Sequence, residues 1–330
     1  MAWRSLRVRS IAIAAAFAAA MAVVVAQPAR AAPRVVATIG PLHSLAEAVM
    51  DGVAKPHLLL SGAVSPHSYA LKPGDASVLA QAEVVFWIGP ELESFLSRTL
   101  ATAQRHRTVV ALLDAPGVER LALRGGGVWG GGPADHEGAH GHGHAHGGKA
   151  AQSHGMDVDA HIWLSTANAR AMVLAMANTL ATADPVNGER YRRNAEIADR
   201  RLAALRDDIA RTLEPVRARP YIVFHDAYQY FEREFGTTVL GAVTLSPERP
   251  PGARTLMQVR DRLVAGQAAC VFAEPQFRPQ VIEAVSQGTG ARVGTLDPQG
   301  LSLRPGADAY FKLMRGIADA LAACLAPATH

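Results

Sequence analysis

Residues 185–213 carry the strongest constraint on how this chain can fold. Tyr191, Ala195, Ala198, Leu202, Leu205 and Ile209 recur at alternating gaps of four and three, which lines one face of an α-helix with apolar side chains. Arg193, Glu196, Arg200, Asp207 and Arg211 fall on the opposite face. At 1.5 Å per residue such a helix spans about 40 Å, long enough to run along two lobes rather than inside one. The connection between domains is placed here.

On both sides of this helix short β-rich runs alternate with helical patterns. Before it come strands at 35–39, 57–60, 84–88 and 109–113, with helices at 44–50, 75–82 and 91–105. A helix at 168–181 completes the first series. After it come strands at 221–224, 238–243, 270–273 and 292–296, with helices at 228–235, 255–264, 279–288 and 307–325. Alternation with short connections predicts βα units and mostly parallel sheets. The expected fold class is α/β: an N-terminal lobe at 32–184, a rigid linking helix at 185–213 and a C-terminal lobe at 214–330, with a cleft between the lobes.

The N-terminus reads differently. Arg4, Arg7 and Arg9 precede an apolar run from Ile11 to Ala26 and a small-residue Ala29-Arg30-Ala31 site, the pattern of a secretory signal peptide over residues 1–31. No later stretch approaches the roughly 20 apolar residues of a spanning helix. The four Arg of this leader account for the whole formal charge of +4. Without it the chain has no basic stripe with interleaved aromatics, so nucleic acid is excluded as a partner. No Cys follows the apolar run, which excludes lipid attachment there and leaves a soluble periplasmic protein, expected to be monomeric. Cys270 and Cys324 are the only cysteines. In an oxidising compartment the pair reads as one disulfide closing onto the last helix, the alternative being two buried thiols.

Between the lobes' regular patterns lies a tract of Gly and His at 125–155. His136, His140, His142, His144, His146 and His154 are six of the chain's 13 histidines. With almost nothing to bury, the segment is expected to be a mobile loop. Its histidines form an accessory metal-collecting set or simply a solvated linker.

Elsewhere, His67 lies in Ser65-Pro66-His67-Ser68-Tyr69, His161 in Asp159-Ala160-His161-Ile162-Trp163, His225 in Phe224-His225-Asp226-Ala227 and Asp297 in Thr295-Leu296-Asp297-Pro298. These residues are far apart in sequence, so only the fold could unite them. His67, His225 and Asp297 each follow a predicted strand, and parallel α/β sheets place ligands outside the carboxyl ends of their strands. Three imidazoles and one carboxylate would suit tetrahedral Zn(II). Glu91, Glu93 and Asp226 are read as solvated residues or as partners of the histidines.

The ordered set of these segments resembles the ZnuA-type metal-binding proteins of cluster A-I ABC importers. Lys72-Pro73-Gly74-Asp75, Trp87-Ile88-Gly89-Pro90-Glu91-Leu92-Glu93 and Phe272-Ala273-Glu274-Pro275-Gln276 belong to the same likeness, which covers essentially the whole mature chain. The resemblance implies zinc held between two lobes and delivered to an inner-membrane permease driven by a cytoplasmic ATPase. It implies His67, His161 and His225 as ligands and Asp297 at the carboxylate position. Some zinc-binding members have Glu just before the first His, where this chain has Pro66, so Asp297, water and a loop histidine all stand as fourth ligand. Cys270 and Cys324 match a bridging pair. The His-rich loop implies zinc collection, sensing or docking of an accessory periplasmic zinc protein.

Manganese-binding relatives carry a carboxylate where His225 stands, and Mn(II) prefers such harder ligands. Zinc is therefore expected over manganese, with a metallochaperone or adhesin of the same fold as a further alternative. No His-Glu-x-x-His and no Gly-x-Ser-x-Gly occurs, so an enzyme is not expected.

Overall fold

The computed structural model describes residues 31–62, 64–103, 107–125, 158–245 and 251–327. The leader, apart from Ala31, and all six histidines of the Gly and His tract lie outside the described residues. Among those described, no helix is long and apolar enough to cross a membrane.

The first lobe contains strands β1 (Val35–Ala37), β2 (His57–Leu58), β3 (Val84–Trp87) and β4 (Thr108–Ala111), with helices α1 (Gly40–Val49), α2 (Pro73–Gln81) and α3 (Ser97–Ala103). Its strands are parallel, in the order β2-β1-β3-β4. A long helix α4 (Thr166–Ala183) then leads through a tight turn at Pro185–Asn187 into α5 (Gly188–Leu213). The second lobe contains β5 (Tyr221–His225), α6 (Gln229–Phe235), β6 (Val239–Thr244), α7 (Ala253–Val264), β7 (Cys270–Ala273), α8 (Gln280–Ser286), β8 (Arg292–Thr295) and α9 (Ala309–Leu325). Its parallel order is β6-β5-β7-β8. The two α/β lobes and the long helix between them agree with the sequence reading. The strands β1, β3 and β5 are buried along their whole length, which is why they read as continuous apolar runs.

Several elements begin or end a few residues from where the sequence pattern places them, α1 at Gly40 rather than 44 and β4 ending at Ala111 rather than 113 among them. A helix over 91–105 was expected, but α3 starts only at Ser97, after a 3₁₀ turn at Ser94–Leu96. The cause lies just upstream. Gly89 has φ of 152°, a conformation that side chains rarely adopt, and the turn it opens sends Glu93 back into the lobe. β2 is also shorter than expected, and the chain from Leu59 onward forms the loop that carries His67.

The linking helix α5 buries Tyr191, Ala195, Ala198, Leu202, Leu205 and Ile209, with Leu213 added at its end. It packs against α1, α4 and α9, so residues of both lobes share one core. Polar bolts reinforce the seam. Trp163 Nε1 donates to Pro298 O at 2.7 Å, Tyr310 OH to Trp163 O at 2.7 Å, and the Tyr310 amide to Ser44 Oγ at 2.9 Å. A disulfide between Cys270 and Cys324 fastens β7 to α9.

Candidate metal centre

Each histidine arrives by a different local route. His67 lies in the loop between β2 and α2. His161 precedes the short 3₁₀ turn Ile162–Leu164 that leads into α4. His225 is the last residue of β5. The fold brings their rings together: His67 Nε2 lies 3.2 Å from His161 Nε2, and His225 Nε2 lies 3.3 Å from the same atom. One ligand atom from each of the three falls within 4.8 Å of the other two. His161 and His225 are buried and His67 is half-buried.

Two carboxylates set the orientation of this cluster. Asp159 Oδ1 lies 2.7 Å from His161 Nδ1 and also accepts from the His161 amide at 3.0 Å. Glu274 Oε1 lies 2.7 Å from His225 Nδ1. In the neutral ring, a proton on Nδ1 donated to a carboxylate leaves the Nε2 lone pair free to meet a cation. The Phe277 ring stands edge-on to His225 at 5.9 Å, and Trp163 lies 5.2 Å from His161.

The electrostatics separate the three rings. Burial, then the imidazoles of His161 and His225, hold His67 well below the ordinary histidine value, so it is neutral and ready to ligate at pH 7. Burial also pulls His225 down, but Glu274, with Asp226 and Asp159, outweighs it and leaves His225 above the ordinary value. A proton therefore competes better with a metal at His225 than at His67.

Asp297 is not part of the converging group. Its Oδ1 accepts from the Gln299 amide at 3.2 Å, and its Oδ2 from the Ser302 amide at 3.2 Å and the Ser302 hydroxyl at 3.4 Å. Glu93 is fully buried away from the histidines, accepting from the Thr38 hydroxyl and from the Ile88 and Gly89 amides. Asp226 and Glu232 are both held by Arg124, whose Nη1 lies 2.7 Å from Glu232 Oε2 and whose Nε lies 3.1 Å from Asp226 Oδ2. Of the three acids read from the sequence as solvated residues or partners of the histidines, Glu93 and Asp226 are buried and Glu91 is partly buried.

Three residues escaped the sequence reading as individuals. Asp159 stands two positions before His161, a local signal that a carboxylate can reach the ring. Glu274 lies 49 residues from His225 and gave no such signal. Arg124 immediately precedes the Gly tract, at the point where the βα pattern of the sequence breaks off. It is part of a strap: Leu121 donates its amide to Tyr230 OH at 2.9 Å, and Ala122 pairs with Val158.

Two parallel α/β lobes bolted along one long helix, with three imidazoles converging at the seam, define a metal-capturing solute-binding protein. The chain belongs to the ZnuA family: the model of that family, the periplasmic component A of the zinc-uptake complex, matches residues 35–324. The high-affinity zinc uptake system protein ZnuA of Brucella abortus is 42% identical over 310 residues, covering 88% of this chain and 91% of that one. The protein of the same description from Paracoccus denitrificans is 37% identical over 335 residues, covering 97% and 99%. The fold matches that of the periplasmic zinc-binding protein TroA from Treponema pallidum with a TM-score of 0.74, at 21% identity over 89% of this chain and 99% of that one.

Proposed function

We propose that this protein captures Zn(II) in the periplasm with high affinity and delivers it to an ABC-type zinc importer in the inner membrane. The observation that carries this reading is the convergence of three Nε2 atoms on one point, two of them on rings fixed by carboxylates at 2.7 Å. An imidazole-rich set favours zinc over manganese. Family membership supplies the transport context, a solute-binding component of a transporter.

In this reading residues 1–31 direct export and are removed, and the lobes at 32–184 and 214–330 enclose the ion. His67, His161 and His225 are the ligands. The fourth position falls to Asp297, to water or to a histidine of the 136–154 segment. That segment collects zinc or docks an accessory periplasmic zinc protein, and the capture unit is a monomer that binds its cargo without transforming it.

Calorimetric zinc titration tests the assignment on three forms: the mature protein, the combined His67→Ala, His161→Ala and His225→Ala variant, and a deletion of residues 135–154. One tight site that survives the deletion and vanishes in the triple variant is expected. Tight binding that disappears with the deleted segment would refute the cleft assignment. Because the ligands must be deprotonated, affinity falls as pH drops through the imidazole range near about 6.5, with competition stronger at His225 than at His67. Titrations giving one affinity from about pH 8 to about pH 5 would rule out this ligand set.

A further inference from the structure

Three neutral imidazoles bring no counter-charge, so a doubly charged ion placed among them remains unbalanced in a site that is largely buried. Asp297 was the expected source of compensation, yet both its oxygens are engaged in the turn to Gln299 and Ser302. Those bonds fix it in the turn, and it lies outside the group of converging ligand atoms.

Two other carboxylates already border the site. Asp159 and Glu274 are 1% and 3% exposed, and each directs one oxygen at a ligand imidazole at 2.7 Å. Their second oxygens meet neutral amides, Gln229 Nε2 at 3.4 Å for Asp159 and Gln276 Nε2 at 2.7 Å for Glu274. The arrangement is repeated, a glutamine amide, a buried carboxylate and an imidazole: the carboxylate and imidazole come once from the first lobe and once from the second, while both glutamines belong to the second. Asp226, also buried, and Glu232, partly buried, are by contrast tied to Arg124.

We infer that Asp159 and Glu274 are the positioning and charge-compensating residues of the zinc site, and that the fourth coordination position takes water rather than Asp297. The inference rests on the zinc reading above. Each carboxylate fixes its ring with the Nδ1 proton turned away from the ion and makes Nε2 a stronger donor. Two negative charges, each one imidazole away, neutralise the ion without entering its shell. Since one pair comes from each lobe, neutrality is reached only where the two lobes meet.

The test separates charge from geometry. Asn at 159 and Gln at 274 keep an oxygen that can accept the Nδ1 hydrogen bond and remove the charge, the facing amide of Gln229 or Gln276 turning over to present its oxygen to the new NH2 group. Zinc affinity is measured by competition with a chelator for wild type, Asp159→Asn, Glu274→Gln and Asp297→Ala, and the coordination shell is read from the visible spectrum of the Co(II)-loaded proteins. Asp159→Asn and Glu274→Gln should each weaken zinc by roughly 10- to 100-fold, the loss expected for an outer partner, while Asp297→Ala stays within about threefold of wild type. All variants should keep the wild-type Co(II) spectrum; Asp159→Asn and Glu274→Gln should also keep the melting temperature of the metal-free protein, whereas Asp297→Ala lowers it by removing the acceptor of the turn to Gln299 and Ser302. Undiminished affinity in both amide variants, or an altered spectrum in Asp297→Ala, would overturn the inference. If Asp159→Asn fails to fold, Glu274→Gln decides the matter alone. A wild type that binds no zinc, or a triple histidine variant that still does, defeats the parent reading instead.

Discussion

The first sheet runs β2-β1-β3-β4 and the second β6-β5-β7-β8, so each reverses direction between the strand that opens its lobe and the third in sequence. A crevice forms at the carboxyl ends of such a pair and commonly holds ligand. In the first lobe it is filled from within: Glu93 takes hydrogen bonds from Thr38, after β1, and from Ile88 and Gly89, after β3. In the second lobe it holds His225, at the end of β5, paired with Glu274, just after β7. The same topology yields a sealed joint in one lobe and an imidazole facing the cleft in the other. The first lobe therefore supplies its two histidines from outside its crevice, His67 after an edge strand and His161 before α4.

Substitution at the two crevices sharpens this contrast. His225→Ala should weaken zinc by on the order of 1,000-fold, more than the loss of an outer partner costs, and should also lower the stability of the metal-free protein, because Glu274 is left buried without its partner. Calorimetry and thermal melting of the same samples check both halves. The covalent tie is also one-sided, since the disulfide closes a separation of 54 residues wholly within the second lobe. Replacing both cysteines by Ser should cost about 4 kcal/mol by the loop-entropy account. Hydrogen exchange should then report the loss in β7 and α9 and not in β1 or β3.

Glu93→Ala is the reciprocal experiment. It strips the acceptor from one hydroxyl and two amides and should cost about 3 kcal/mol in urea unfolding, while zinc affinity stays at the wild-type value. A large loss of zinc binding here would show that the two crevices are not independent.

The smallest effect is a dependence on pH. Burial raises Glu93 to about 7 against the opposing hydrogen bonds from Thr38, Gly89 and Ile88. The folded protein then retains a proton that the unfolded chain releases near the ordinary carboxylate value. The stability contributed is complete below that value and declines as pH rises toward 7, by on the order of 1–3 kcal/mol. Glu93→Gln should flatten this decline in urea midpoints of the metal-free protein measured from acid to neutral pH.

The sheets and the linking helix were legible in the sequence because their signals are local. The apolar stripe from Tyr191 to Ile209 needs only helical periodicity, and the buried strands read as uninterrupted apolar runs. The candidate ligands could be named from their motifs, but their meeting point could not, because it depends on how two lobes pack. The supporting carboxylates divide in the same way. Asp159 is within reach of His161 along the chain, whereas Glu274 reaches His225 only because β7 lies beside β5. Glu93 was misjudged for a different reason. A carboxylate in a polar-looking Glu-Leu-Glu run carries no mark of burial, and only the turn at Gly89 takes it inside.

The core shared beneath the linking helix also bears on time. Parting the lobes as rigid bodies would expose the apolar face of α5 and the side chains at the seam, at roughly 25 cal/mol per Å². Motions of that kind run over microseconds to milliseconds, while loops move in nanoseconds to microseconds. His225 ends a buried strand and His161 is anchored through Asp159, but His67 sits half-buried on a loop. For an ion held by these three rings, release through the loop that carries His67 would leave the shared core intact, whereas release by parting the lobes would expose it.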